Sequence, residues 1–182
     1  MDDIYVRKVC AGDTEAFRYF VEQYKALSIS LAVSVVKDEF VAEEVVQDAF
    51  INAFRGIKNF KFKSKFSSWF YRIVLNEAFR RLKKMQKEIV DFRHSYDEEI
   101  ADESEVLTLQ QNEQVHLINE ALKLLPARES LVLRLFYLQE ESIKEVAAIT
   151  GWTEIYIKVT LHRARKNMHA AIKSLLKKSN NS

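Results

Sequence analysis

Cysteine, proline and glycine are almost missing from this chain: one, one and three residues among 182. A lone Cys10 excludes a disulfide framework, and the four histidines (His94, His116, His162, His169) show no metal-ligand spacing, so no metal or cofactor is expected. With so few helix breakers and long apolar periodicities, the chain is expected to be almost wholly helical. Long hydrophobic runs are missing too. The most apolar stretch, Leu27–Val36, has ten residues, where a bilayer crossing needs about 20. The start, Met1-Asp2-Asp3, is acidic and no apolar segment follows it, so neither a signal peptide nor membrane insertion is expected. These absences predict a soluble, cytoplasmic protein.

What is present is segregated charge. The net charge is only +2, but residues 1–55 carry −4, residues 56–87 carry +9, residues 88–113 carry −8 and residues 114–182 carry +5. The basic block, Gly56–Lys87, interleaves ten Lys and Arg with Phe60, Phe62, Phe66, Trp69, Phe70, Tyr71 and Phe79. Cations neutralise phosphates and aromatic faces stack on unpaired bases, so this composition suits single-stranded nucleic acid. A basic helix packed on its own aromatic core has the same composition, and both readings stand on this stretch alone.

Along the chain, Asp13 or Thr14 can cap a helix to about Tyr24, with Phe17, Phe20, Val21 and Tyr24 at helical spacing. Leu27–Val36 continues as a buried helix. Asp38 caps the next one, whose stripe is Val41, Val45, Ala49 and Ala53. Its other side is a polar ribbon, Glu44, Gln47, Asp48 and Asn52, which is either a solvated face or a docking surface. Gly56 closes that helix and a basic loop, Lys58–Lys65, follows. Ser67 or Ser68 then caps a helix to about Met85, with Phe70, Ile73, Val74 and Glu77 on one side and Trp69, Arg72, Asn76, Arg80 and Lys83 on another. Residues 88–112 are acidic with few large apolar side chains. They read as a linker without fixed structure, either a passive tether or a mimic of nucleic-acid charge.

A second helical unit begins near Glu113. One helix ends at Pro126 and another spans Glu129–Gln139. Ser142-Ile143-Lys144-Glu145 is a capping box, Gly151 supplies a tight turn, Thr153 caps again, and a long basic helix runs from Glu154 to about Lys177. Short helix, glycine turn and long basic helix make a helix-turn-helix, with Val146, Ala147, Ile149, Ile157, Leu161 and Ala164 packed inside. A three-helix bundle with a basic exposed helix is the plainer alternative. The fold class is therefore all-α: an N-terminal helical bundle (1–87) and a C-terminal helix-turn-helix domain (113–182) joined by an acidic linker (88–112).

Residues 44–58, EVVQDAFINAFRGIK, resemble the polymerase-core-binding motif of sigma-70-type transcription initiation factors. FSSWFYRIVLNEAFRRLKK is similar to the region of that family that reads and melts the minus-ten promoter element. LPARESLVLRLFYLQEESIKEVAAITGWTEIYIKVTLHRARKNM is similar to its C-terminal helix-turn-helix. The two-domain layout, with the family's middle domain replaced by an acidic linker, resembles the extracytoplasmic-function (ECF) class. The resemblance implies a protein without catalytic residues whose partners are core RNA polymerase (its largest catalytic subunits), promoter DNA and an anti-sigma factor.

The resemblance also implies residue roles. Glu44, Gln47, Asp48 and Asn52 would dock on polymerase. Phe60, Phe62 and Phe66 would lie in a base-capturing loop, with Phe60 and Phe62 the rings expected in solvent. Lys61, Lys63, Lys65, Trp69, Arg72, Arg80, Arg81 and Lys84 would hold the melted strand. Asn76 would meet a base edge, or pack. Thr153, Glu154, Tyr156, Ile157, Lys158, Thr160, Arg163, Arg165 and Lys166 would lie at or near the start of the recognition helix. There are departures: Thr160 stands where many relatives carry Arg, Arg80 where Asp is common, and Ile155 and Tyr156 where small or polar residues are usual. A stand-alone helix-turn-helix regulator is the alternative to a polymerase subunit, and a helical interaction protein is a third possibility.

Overall fold

A computed structural model describes residues 1–93 and 110–179, with side chains over 1–87 and 115–177. The helices in chain order are α1 (Asp2–Cys10), α2 (Arg18–Val36), α3 (Glu39–Gly56), α4 (Phe66–Arg93), α5 (Gln110–Leu124), α6 (Ala127–Leu133), α7 (Ile143–Thr150) and α8 (Glu154–Ser179). No strand occurs among the described residues. The acidic linker is helical at both ends, up to Arg93 and from Gln110; its centre lies outside the described residues.

Local chemistry explains most helix ends. Asp38 accepts a hydrogen bond from the Val41 amide at 2.8 Å and starts α3. The Ser142–Glu145 capping box forms in full. Gly151, at φ 77°, closes α7 in the left-handed conformation that glycine adopts without a Cβ clash. Thr153 then accepts from the Tyr156 amide and starts α8. Three expectations differ. Helix α4 begins at Phe66, before either serine, because Phe66 is drawn into the core. Helix α6 starts right after Pro126 and ends in a π-helical turn, Arg134–Leu138. Helix α1 was not expected; it carries Asp2 and Asp3 in its first turn and Arg7 and Lys8 in its last, complementing the helix dipole.

The first domain is held by rings. Phe20 stacks on Phe66 with centroids 4.0 Å apart, and Phe50 stacks on Phe70 at 4.6 Å. All four are buried, each contributing about 1.5–3 kcal/mol by leaving water. Asp2 ties α1 to this core by accepting from the Tyr24 hydroxyl at 2.6 Å and the Tyr19 hydroxyl at 2.9 Å. Burial, then the Asp2 carboxylate, pushes the Tyr24 hydroxyl well above its ordinary pKa. The second domain packs Leu122, Leu125, Leu131 and Leu135 against Val146, Ile149, Ile157 and Leu161. The two domains touch, α2 against α6 and α4 against α7.

Candidate nucleic-acid interface

Three groups of side chains form the candidate surface. The first lies on α3 and α4. Gln47 and Asp48 are exposed on the outer side of α3, while Glu44 and Asn52 are half-buried where α3 meets α4. Glu44 receives the Arg81 guanidinium at 2.5 Å, and Asn52 donates to Glu77 at 3.0 Å. Arg80 also pairs with Glu77. Glu44, Asp48, Glu77, Arg80, Arg81 and Lys84 line a shallow groove of about 230 Å³. The ribbon and the basic helix are therefore one surface. Sequence reasoning missed its apolar members, Phe40 and Ile51, which are exposed on the same helix, while Phe54, expected to widen the apolar stripe with Val46 and Phe50, packs its ring on Phe17 with centroids 5.1 Å apart. The spacing of Phe40 and Ile51 from Gln47 was a usable signal.

The loop before α4 is the second group. Phe62 sits at φ 55°, a left-handed backbone that costs a bulky residue about 1–3 kcal/mol. The residue is 45% exposed; its ring rests on that of Phe60, with centroids 5.0 Å apart, and the Arg7 guanidinium of α1 lies 5.5 Å from its centroid. Lys61, Lys63, Ser64 and Lys65 around it are exposed. The other two loop rings correct the expectation. Phe60 is only 7% exposed and Phe66 only 1%, because each packs on Trp69, with centroids at 5.3 and 5.4 Å, and on the other. They form the floor beneath Phe62 and cannot offer a face to a base from this position. Trp69 itself is half-buried between them and Gly56. Farther along α4, Arg72, Asn76 and Lys84 are exposed.

The start of α8 makes the third group. Thr153, Glu154, Lys158, Arg163, Arg165 and Lys166 are exposed, as are Ile155 (76%) and Val159 (53%). Ile157 and Thr160 are buried and leave the expected contact set. They fall on the inner stripe with Leu161 and Ala164, and the Thr160 hydroxyl finds no hydrogen-bond partner there. Tyr156 is half-buried: Arg128 donates to its hydroxyl at 2.9 Å and lies over both its ring and that of Trp152. Arg165 donates to the Tyr137 hydroxyl at 2.7 Å. Val159 and His162 share the outer surface and were not expected to read bases.

The electrostatics of the domain seam follow from partners and burial. The Lys65 ammonium, then the Ser142 amide and hydroxyl, hold the Glu145 carboxyl at about 2. Burial, then the neighbouring Arg134 charge, lowers the Lys37 ammonium to about 8. Among the described residues no group of histidine, cysteine and carboxylate side chains could hold a metal ion, and no helix is long and apolar enough to cross a membrane.

A basic, aromatic helix with one ring held out, followed by a helix-turn-helix, defines a two-domain helical DNA-binding protein. Comparison with known proteins makes the class specific. Residues 20–88 match the family model for sigma-70 region 2, and residues 116–168 match that for sigma-70 region 4. The chain is 33% identical over 135 residues to the RNA polymerase sigma factor YlaC of Bacillus subtilis (strain 168), covering 70% of this chain and 77% of the relative. It is 27% identical over 182 residues to the ECF RNA polymerase sigma factor SigW of the same organism, covering 93% and 96%. Its fold is similar to that of the sigma factor RpoE from Bartonella quintana, solved in complex with the anti-sigma factor NepR: TM-score 0.69, 23% identity, covering 88% of this chain and 98% of that one. The chain belongs to the sigma-70 family of RNA polymerase sigma factors, in its ECF class.

Proposed function

We propose that this chain binds core RNA polymerase and directs promoter-specific transcription initiation, the domain over 1–87 opening the minus-ten element and the domain over 113–182 reading the minus-thirty-five element. The observation that carries this assignment is Phe62: a ring kept in solvent on a strained backbone, on a floor of buried rings and among exposed lysines. Extruding a base costs roughly a few kcal/mol, and one stacked base returns about 1–3 kcal/mol. One ring therefore captures a base but does not open a promoter; phosphate contacts by Lys61, Lys63, Arg72 and Lys84, and the polymerase, supply the rest. Gln47 and Asp48, with Ile51 and Phe40 beside them, form the polymerase-docking face. Lys158, Arg163 and Lys166 contact phosphates or guanine, Glu154 accepts from cytosine, and Ile155 and Val159 meet thymine methyls.

The chain supplies no catalytic residue, since nucleotide addition belongs to the polymerase, and it works in the cytoplasm where polymerase is found. The acidic linker over 88–112 passes along a basic path of the polymerase. An anti-sigma factor is a further partner, as for the Bartonella relative, whose structure contains one. Fluorescence anisotropy of labelled promoter duplex tests the proposal. Binding by the free chain is expected to be weak, and to become tight and specific once core enzyme is added. Tight operator binding by the chain alone, unchanged by core enzyme, would instead identify a free-standing regulator.

A further inference from the structure

Burying a charge costs free energy unless an opposite charge or a full set of hydrogen bonds compensates it. Two half-buried cations of this chain lie close together without an opposite charge. Lys37 closes α2, and Arg134 opens the π-helical turn after α6. Among the described residues neither forms an ion pair. Burial, then the Arg134 charge, lowers the Lys37 ammonium, and burial lowers the Arg134 guanidinium.

Both cations line a pocket of about 480 Å³ walled by α2, α5 and α6. The hydrogen bonds around it leave donors to spare. Lys37 gives an N–H to the Leu122 carbonyl at 2.8 Å. Arg134 donates from Nε to the Ser34 hydroxyl at 2.8 Å and from Nη2 to the Asn119 side-chain oxygen at 3.0 Å. The Ser34 hydroxyl in turn donates to the Ser30 carbonyl. What stays unused is the rest of the ammonium and guanidinium N–H groups and the Asn119 NH2. Ser130, fully buried on the wall of the same pocket, has a hydroxyl without a partner. The carboxylates of the pocket do not answer these donors. Glu120 is held by Lys123 at 2.9 Å, and Glu39 and Glu43 are exposed on α3.

We propose that this pocket is an oxyanion site whose ligand is a phosphate group, carried as inorganic phosphate or as the monoester of a small molecule. Donors converge on it from several helices. They suit an anion whose oxygens point in more than two directions, as those of a tetrahedral phosphate do and those of a planar carboxylate do not. Arg134 supplies a planar fork of donors and Lys37 a point charge, and both kinds of cation bind phosphate. The pocket is larger than one phosphate, and Ile29, Val33 and Leu122 also line it, so a monoester finds an apolar wall for its carrier. Glu39 and Glu43 repel a longer polyphosphate. The site uses no residue assigned to polymerase or DNA, and it stands or falls apart from the sigma-factor reading.

Isothermal titration calorimetry on the full chain at fixed ionic strength tests the site with inorganic phosphate, ribose 5-phosphate and ATP. Saturable binding of phosphate or ribose 5-phosphate is expected, the tighter of the two identifying the source, with ATP weaker than both. Lys37→Gly removes one cation and suits the left-handed backbone at φ 65°. It should weaken binding by about 10- to 100-fold. Ser130→Ala keeps both cations and should weaken binding by about 2- to 10-fold. If circular dichroism shows that Lys37→Gly has unfolded, the Ser130→Ala affinity decides in the same way. Absence of saturable binding, affinity unchanged by the substitutions, or ATP binding tightest overturns the proposal. So does binding that survives Lys37→Gly and is lost in Lys158→Ala, which would put the phosphate on the helix proposed to read DNA.

Discussion

The loop before α4 and the start of α8 are both basic and both face outward, yet they expose opposite kinds of apolar group. In the loop a single aromatic ring, Phe62, stands clear above two buried ones. At the start of α8 the one aromatic, Tyr156, is half-buried, and the outward apolar groups are the branched aliphatics Ile155 and Val159. A flat ring suits the face of a base that has left its stack, whereas a short branched side chain suits a methyl at the edge of a groove. Cations alone would not separate the two sites, because phosphates are common to both. The apolar groups between the cations specify which form of DNA each site takes.

That contrast can be broken by removing the floor under Phe62. Phe66→Ala should destabilise the first domain by about 3–5 kcal/mol, with the second domain's transition little changed, as measured by thermal unfolding with domain-specific probes. A loss confined to DNA binding, with unaltered unfolding, would mean that Phe66 is a contact after all. A milder test compares the salt dependence of the two sites. Lys158→Ala should lower the slope of log affinity against log salt by about 0.9 on intact duplex, whereas Lys61→Ala should lower it by about 0.7, and only once the strand is open. The smallest effect is at the buried stripe of α8. Thr160→Val removes an unpartnered hydroxyl whose burial costs about 1–3 kcal/mol, so the melting temperature should rise while promoter affinity stays the same. Weakened promoter binding would return Thr160 to the contact set.

Locally encoded features were legible in the sequence. The Asp38 cap, the Ser142–Glu145 box and the Gly151 turn are each set by residues three or four apart, and they stand where expected. Ring burial in the loop was not legible. Phe60, Phe62 and Phe66 alternate with lysines at a strand-like spacing of two although no strand forms there, and which of them turns inward depends on packing against Trp69 and Phe20. Helix α1 escaped notice because nine residues give too few apolar positions for a period, although Asp2 and Arg7 reach the core and Phe62. The seam between the domains joins residues such as Arg72 and Ala148 or Ser34 and Arg134, far apart in the chain, so no local pattern announces it.

The most direct test is strand opening followed with a fluorescent base analogue in the non-template strand of the minus-ten element, with core polymerase and either wild type or Phe62→Ala. A base stacked on the ring is worth about 1–3 kcal/mol, so loss of the ring should reduce open complex by roughly 5- to 150-fold while closed-complex affinity is unchanged. Equal loss of both complexes, or no loss of either, would contradict the role assigned to Phe62 and with it the division of labour between the two domains.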